Sequence, residues 1–205
     1  MEYSTNSQSG QDLFILSVLK HKKNGFFLEI GSHDPVFINN TYLLEKTYGW
    51  TGLMVEYEAK WETAYKSQRT SNYIIQDART VDYISLFKQY NFPTVMDYLQ
   101  VDLEVHNGST IEALELLDKT IFPTYTFSVV TFEHDIYGGD HYNTRAKSRE
   151  IFDRNGYIRV FGDVQNIGNA FEDWYVHPSS VDMNYIRKIK TDVSQEWSDI
   201  IKLLN

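Results

Sequence analysis

Carboxylates recur along this chain directly after short apolar runs, and that placement is the first pointer to its chemistry. Glu29 closes "FFLEIG", Glu56 closes "TGLMVEY", Asp77 closes "NYIIQDA", Asp102 and Glu104 close "VMDYLQVDLE", and Glu133, His134 and Asp135 close "TFSVVTFEHD". An acidic group in such a position can accept from an amine or from ribose hydroxyls, hold a hard cation, or take a proton. In "EIGSHDP" Glu29 stands just ahead of Gly31. Lacking a Cβ, Gly31 permits a sharp turn and close approach of a ligand. Glu29 beside it suits an amino group and would repel a pyrophosphate. A dinucleotide loop wants three glycines and this stretch has one, so the alternative is an ordinary strand-to-helix turn. Glu56 is placed to accept both hydroxyls of a ribose. Asp77 is placed to accept from an adenine amino group, with the small Ala78 leaving room for the ring, or else it caps a helix.

These residues need a frame that brings strand ends together. Apolar spacing predicts helices over 10–23, 38–49, 80–90, 109–119 and 143–156, alternating with strands over 26–31, 51–57, 72–78, 95–104 and 126–135. Such alternation implies right-handed crossovers and a mostly parallel sheet covered on both faces. The runs 157–166 and 169–178 have no helix between them and read as an antiparallel hairpin, followed by a tail with helical tendency. A parallel α/β sheet ending in such a hairpin is the layout of class I methyltransferases. The expectation is therefore a Rossmann-like, seven-stranded, mostly parallel sheet with a C-terminal antiparallel hairpin and helices on both faces. In such sheets ligands sit beyond the carboxyl ends of the strands, near the point where strand order reverses.

Composition narrows the classes. The 205 residues fit a single domain spanning the whole chain, which could also be one domain of a longer protein. A net charge of −9 argues against a nucleic-acid surface. There is no cysteine, hence no disulfide, thiolate metal site or cysteine nucleophile. No apolar run reaches the roughly 20 residues of a membrane helix, and "MEYSTNSQSGQD" lacks a signal-peptide core. The sequons "NNT" and "NGS" are accordingly read as chance matches, and a cytoplasmic location without membrane insertion is expected.

The segments "GQDLFILSVLK", "GFFLEIGSHDP", "NNTYLLEKTYGWTGLMVEYEAKW", "DYLQVDLE", "STIEALELL" and "VVTFEHD", in that order, resemble the FkbM family of S-adenosylmethionine-dependent methyltransferases, and the similarity spans roughly residues 7 to 178. The resemblance implies that Glu29, Gly31, Ser32 and His33 face the methionine part of that cofactor. It further implies that Glu56 binds the ribose, that Asp77 and Ala78 meet the adenine, and that Asp102 and Glu104 form the family's acidic end of the fourth strand. Two features depart from the family pattern. Pro35 or Val36 stands where a second glycine is usual, and "EVHNGS" displaces a glycine and a second glutamate after Glu104.

For methyl transfer to an alcohol, a base or a metal must assist, because a hydroxyl's own pKa is far too high. Asp102, Glu133 and His134 are the candidate catalytic groups. Asp102 with Glu133 would hold Mg²⁺ or a similar divalent cation through oxygen ligands; alternatively His134 or His106 acts as general base. "EHD" can also be no more than a polar strand end. Around the acceptor, Glu104, His106, His141 and Tyr142 are candidate contacts, and Trp174 and Tyr175 offer aromatic faces, although a core position suits Trp174 better. The family's association with sugars implies a glycan acceptor, a deoxyhexose such as rhamnose or fucose. A small-molecule or lipid-like acceptor, or a non-catalytic module binding a nucleotide or a partner, are the other readings.

Overall fold

The computed structural model describes residues 5–204. Its strands are β1 (Phe26–Ile30), β2 (Thr51–Glu56), β3 (Asn72–Ile75), β4 (Val95–Val101), β5 (Thr126–Glu133), β6 (Ile158–Asn166) and β7 (Asn169–Val176). They form one seven-stranded sheet in the order β3-β2-β1-β4-β5-β7-β6. Neighbours from β3 through β5 pair in parallel, whereas β7 is antiparallel to both β5 and β6. The expected sheet and closing hairpin are both present, and the strand order reverses between β1 and β4.

Eight helices cover the sheet among the described residues: α1 (Gln11–Val18), α2 (Tyr42–Tyr48), α3 (Glu62–Gln68), α4 (Tyr83–Gln89), α5 (Ser109–Thr120), α6 (Thr144–Arg154), α7 (Met183–Ile189) and α8 (Trp197–Leu203). None is long and apolar enough to cross a membrane. On one face Leu28, Leu53, Leu99 and Val130 pack with Phe87 of α4, Leu114 of α5 and Phe152 of α6. On the other, Phe27, Met54, Tyr98 and Val129 pack with α1, α2, α3, α7 and α8. Adjacent strand residues feed opposite cores because successive side chains leave a pleated strand on opposite sides.

The same alternation orients the strand ends. Glu29 shares its face with Phe27, Glu56 with Met54, Asp102 with Tyr98 and Gln100, and Glu133 with Val129 and Thr131. Since β2, β1, β4 and β5 are consecutive in the sheet, these carboxylates form a row along one edge of one face. Gly31 makes the row possible. Its φ is +80°, and a Cβ there would lie 1.6 Å from the Asp102 carbonyl oxygen. Any other residue would push β1 and β4 apart at the point where strand order reverses.

Three elements depart from the sequence expectation. Helix α1 stops at Val18 and does not continue to residue 23, because Lys20, His21 and Asn24 adopt left-handed φ of 53°, 54° and 56°. Helix α3 was not anticipated: Tyr65 is its one buried side chain, so its sequence carries no apolar stripe. The tail divides into α7 and α8, and the segment between them lines the free edge of β6 through bridges from Thr191 to Phe161 and from Glu196 to Gln165. Glu196 also accepts from the backbone N–H groups of Ile167 and Gly168 at the hairpin tip. An open sheet edge is covered in this way.

Trp174 and Tyr175 are wholly buried, so neither offers a face to an acceptor. Trp174 stacks on Phe14 of α1 at 4.8 Å between ring centroids and donates its indole N–H to Glu172 at 2.6 Å. Trp174→Ala should destabilise the protein by about 3–5 kcal/mol, the usual cost of emptying an aromatic site in a core. Urea unfolding monitored by circular dichroism measures it; a loss well below 1 kcal/mol would show that the indole does not hold α1 to the sheet.

Candidate functional site

A cavity of about 700 Å³ opens at the carboxyl end of the sheet, over the β1/β4 reversal. That volume is in the range of small-molecule sites. Glu29, Ser32, Asn40, Glu56, Gln100 and Asp102 line it, together with His33, Gly31 and the exposed Glu58 and Glu104. The sequence-derived candidates Glu29, Gly31, Ser32, His33, Glu56 and Asp102 therefore do converge.

Glu29 is fully buried. Its Oε2 accepts from Thr41 Oγ1 at 2.7 Å and from Asn39 Nδ2 at 3.3 Å, while Oε1 has no partner within the protein. Burial pushes its pKa up to about 7, opposed by the Arg69 guanidinium and by the bonds from Thr41 and Asn39. A buried oxygen without a donor, on the lining of a cavity, suits a ligand that brings an N–H of its own. Glu56 is held differently. Its two oxygens accept backbone N–H groups, Oε2 from His33 at 2.8 Å and Oε1 from Glu58 at 2.7 Å. Each carboxylate oxygen has a further lone pair to offer a hydroxyl.

The turn after β1 is anchored from behind. Tyr65 donates to the carbonyl of His33 at 2.8 Å and lies 2.6 Å from Ser32 Oγ. Arg69, at the end of α3, is buried and spreads its guanidinium over Glu45, the Pro35 carbonyl, Asn39 Oδ1 and Thr41 Oγ1 at 2.8–3.1 Å. Left-handed conformations in this turn fall on His33, with φ 44°, and on Ile38, with φ 55°. Pro35 is not among the positive-φ residues, so the loop does not call for a second glycine there. Asp34 instead closes the turn by accepting from the N–H groups of Val36 and Phe37, both at 2.8 Å.

Asp77 and Ala78 line a second, adjoining cavity of about 310 Å³ with Tyr57, Leu103 and Asn107. Glu104 borders both cavities. Asp77 caps a short 3₁₀ turn by accepting from the N–H of Arg79 at 3.0 Å, and its carboxylate also pairs with the Arg79 guanidinium at 2.7 Å. Both readings of Asp77 thus meet in one residue: it caps, and it borders a slot between Tyr57 and Leu103.

Asp102 and Glu133 stand at adjoining strand ends, one residue past the paired Val101 and Phe132. Gln100 donates to Asp102 at 3.4 Å and is itself held by Asn40 at 2.7 Å. Burial raises the pKa of Asp102, and the nearby Asp135 charge adds to it. Burial likewise drives Glu133 well above the usual carboxylate range, reinforced by the neighbouring Asp102. Among the described residues no lysine or arginine pairs with Asp102, Glu133 or Asp135.

His134 does not join them. As the residue just after β5 it leaves the opposite face of the sheet, next to Asp173. It is fully buried: Nδ1 accepts from the N–H of Ile136 at 3.2 Å, and Nε2 lies 3.3 Å from Asp173. Both ring nitrogens are bonded to residues that do not line the cavity, and His134 does not line it either, so the geometry places His134 in the core. His134, Asp163 and Asp173 do place three ligand atoms within 4.8 Å of one another. Arg149 already pairs with both aspartates there, at 2.8 and 2.7 Å, and Arg145 with Asp163 at 3.0 Å. That centre is neutralised by guanidinium groups and has no need of a metal.

The candidate acceptor contacts cluster on the rim. Glu104 accepts from the backbone and ring N–H of His106 at 3.0 and 2.9 Å, and the His106 and His141 rings lie 4.4 Å apart. Tyr142 adopts φ 54°, is exposed, and rests its ring against Gly108. Sequence reasoning missed Arg69, Asn39, Asn40, Thr41 and Gln100. The run "INNTY" carries a signal in retrospect, since three consecutive polar residues interrupt the apolar spacing of a helix start; Arg69 carries none.

No protein-family model and no curated protein matches the chain. Among solved structures it is similar to a proposed rRNA-methylase from Clostridium thermocellum, with TM-score 0.54 and 12% identity over 85% of this chain and 98% of that one. It is also similar to precorrin-6y C5,15-methyltransferase from Geobacter metallireducens, with TM-score 0.51 and 10% identity over 86% and 89% of the two chains. A methyltransferase from Pyrococcus furiosus matches with TM-score 0.51 and 12% identity over 86% of each chain. The fold is the Rossmann-like one of these methyltransferases.

The titration of Glu29 gives a stability signature. Its folded pKa of about 7 lies above the ordinary glutamate value of 4.5, so between these values the folded protein holds a proton that the unfolded chain releases. Stability contributed by this group is full below the lower value and declines as pH rises through the upper one. Glu29→Gln should remove that decline, so that the variant gains about 2.5 kcal/mol on the wild type between pH 5 and pH 8. Parallel urea-unfolding curves for the two proteins across that range would refute it.

Proposed function

We propose that this chain is an S-adenosylmethionine-dependent O-methyltransferase of the FkbM type, acting on a sugar hydroxyl, with a deoxyhexose such as rhamnose or fucose in a glycan as acceptor. The unpartnered Oε1 of Glu29 on the cavity lining carries the cofactor assignment, because it asks for a donor of the kind an amino-acid ammonium brings. The other residues fit the same ligand. Glu56 would accept the ribose hydroxyls with the lone pairs left by its two backbone bonds. The slot bordered by Tyr57, Asp77, Ala78 and Leu103 would take the adenine. When bound, the cofactor supplies an electrophilic methyl on a sulfonium.

Asp102 and Glu133 would receive the acceptor's hydroxyl proton. Their raised pKa values bring them nearer neutrality, where a general base works best. The same pair would hold a divalent cation such as Mg²⁺, whose chemistry is to lower the pKa of a bound hydroxyl. Glu104, His106, His141 and Tyr142, with the exposed Tyr137, offer hydrogen-bonding groups and aromatic faces to a sugar ring. Among the described residues no lysine or arginine lines the main cavity, which favours an uncharged acceptor over a phosphorylated one or nucleic acid. The structural neighbours are named for rRNA and precorrin substrates, so the shared fold does not choose the acceptor.

Calorimetric titration with S-adenosylmethionine and S-adenosylhomocysteine, followed by isotopic methyl transfer to rhamnose- and fucose-bearing glycans, tests this reading. Glu56→Ala should weaken binding of both cofactor forms about tenfold or more, the loss expected for buried charge-assisted hydrogen bonds. Glu133→Ala should spare S-adenosylhomocysteine binding and lower turnover by about 10²–10⁴, the range for a general base. Activity that survives a chelator removes the cation from the scheme, and failure of both cofactor forms to bind removes the enzyme reading.

A further inference from the structure

We infer that Gln8 recognises the carboxylate at the amino-acid end of the cofactor, through a neutral amide that a braced N-terminal segment holds at the cavity. This rests on the cofactor assignment proposed above and adds to it the group that reads the carboxylate.

Residues 5–10 run ahead of α1 along the carboxyl edge of the sheet and are tied at both ends. At one end Asn6 Nδ2 approaches the carbonyl of Val36, in the loop after β1, at 3.5 Å. At the other, Gln11 accepts from the N–H of Ser9 at 2.8 Å and donates to Glu172 of β7 at 3.0 Å. Asp12, wholly buried, braces the segment by accepting from Thr5 Oγ1, the Asn6 N–H and Ser7 Oγ at 2.5–2.9 Å. Gly10, with φ +74°, sits so close to α8 that a Cβ would lie 2.9 Å from Ile201. Gln8 is the exposed residue of this segment, between buried Ser7 and Ser9, and it lines the main cavity with Phe37, Ile38 and Asn40 of the β1 loop. Its side-chain amide makes no hydrogen bond among the described residues.

A single carbon of the amino-acid end carries both its ammonium and its carboxylate. An ammonium at the free Oε1 of Glu29 therefore brings the carboxylate to the same loop, beside which Asn6 anchors the N-terminal segment. A carboxylate leaving water needs donors in exchange. No lysine or arginine among the described residues lines the cavity to supply them. The other amides and the hydroxyl of the lining are committed: Asn40 Nδ2 donates to Gln100 at 2.7 Å, Gln100 Nε2 donates to Asp102 at 3.4 Å, and Ser32 Oγ lies 2.6 Å from the Tyr65 hydroxyl. The backbone N–H groups of Val36 and Phe37 are taken by Asp34. The His33 ring packs edge-on against Trp61, which follows β2, at 4.8 Å. The Gln8 amide is uncommitted and has two N–H donors to offer. A neutral donor also suits the position, because a cationic side chain there would pair with the free oxygen of Glu29 in the ammonium's place.

The test crosses two variants with two ligands in titration calorimetry of the full chain. The ligands are S-adenosylhomocysteine, which keeps the amino-acid end and has no methyl to transfer, and its decarboxylated analogue, which keeps the amine and lacks the carboxylate. Gln8→Ala should weaken S-adenosylhomocysteine about tenfold or more, the loss expected for a hydrogen bond to a charged group, and leave the analogue's affinity unchanged. Gln8→Glu sets a carboxylate against a carboxylate, so it should weaken S-adenosylhomocysteine further without weakening the analogue. Gln8 is exposed, so both variants should melt with the wild type. A merely structural role of the segment would weaken both ligands alike. That result, or unchanged binding of S-adenosylhomocysteine by Gln8→Ala, overturns the inference and leaves the cofactor assignment standing. If S-adenosylhomocysteine fails to bind the wild-type protein, the assignment falls and the inference falls with it.

Discussion

The pleat of the sheet is the constraint on which the site depends. Side chains alternate along each strand, so a carboxylate two residues from a core aromatic must share that aromatic's face. In this protein the rule acts on four neighbouring strands at once and aligns Glu29, Glu56, Asp102 and Glu133 along one edge of the sheet. Glu172 extends the row on β7, directly opposite Glu133. Burial raises the pKa of Glu172 to about 8, with the Asp102 charge contributing. Carboxyls gathered in a desolvated row relax by keeping protons: burial raises Glu29, Asp102, Glu133 and Glu172, and neighbouring acidic charges add to the shift at the last three.

One buried ion pair holds the rest of the site in place. Arg69 and Glu45 are both almost wholly shielded from solvent, and each is saturated with further bonds. Glu45 accepts from the N–H groups of Thr70 and Ser71 as well as from Arg69. Burial alone would raise its pKa, but the guanidinium and these bonds bring it down to about 2. A buried pair of this kind adds little net stability but imposes strict geometry, since losing either partner strands a charge. That geometry reaches the ligand side directly: Arg69 fixes Asn39 and Thr41, and these two fix Glu29 Oε2, which leaves Oε1 as the free oxygen.

Much of this was legible in the sequence because it follows from local rules. Strand and helix alternation predicted the sheet, the absence of a helix between 157–166 and 169–178 predicted the hairpin, and carboxylates at strand ends predicted Glu29, Glu56 and Asp102. What escaped depended on long-range contact or on a single step of parity. Arg69 meets its partners 24 to 34 residues away in sequence, and nothing in "KSQRTS" announces them. His134 looked equivalent to Glu133 as one of three polar residues closing a strand, yet one residue along a strand is the difference between the two faces. Helix α3 escaped because its stability comes from Tyr65 and its neighbours and not from an amphipathic pattern.

The two faces of the sheet answer the same electrostatic problem in opposite ways. Beneath one face, Asp163 and Asp173 are buried or half-buried, and the chain meets them with Arg145, Arg149 and His134. The result is a compensated cluster in which the pKa of Asp173, despite burial, falls well below the usual carboxylate range through its bonds to His134 and Arg149. On the other face, among the described residues, the row of Glu29, Glu56, Asp102, Glu133 and Glu172 has no lysine or arginine beside it apart from the guanidinium of Arg69 behind Glu29. A folded chain that can neutralise buried acids on one side has the means to do so on the other, and an uncompensated buried charge is costly. The row on this face is relieved by proton uptake instead, as the raised pKa values of Glu29, Asp102, Glu133 and Glu172 express.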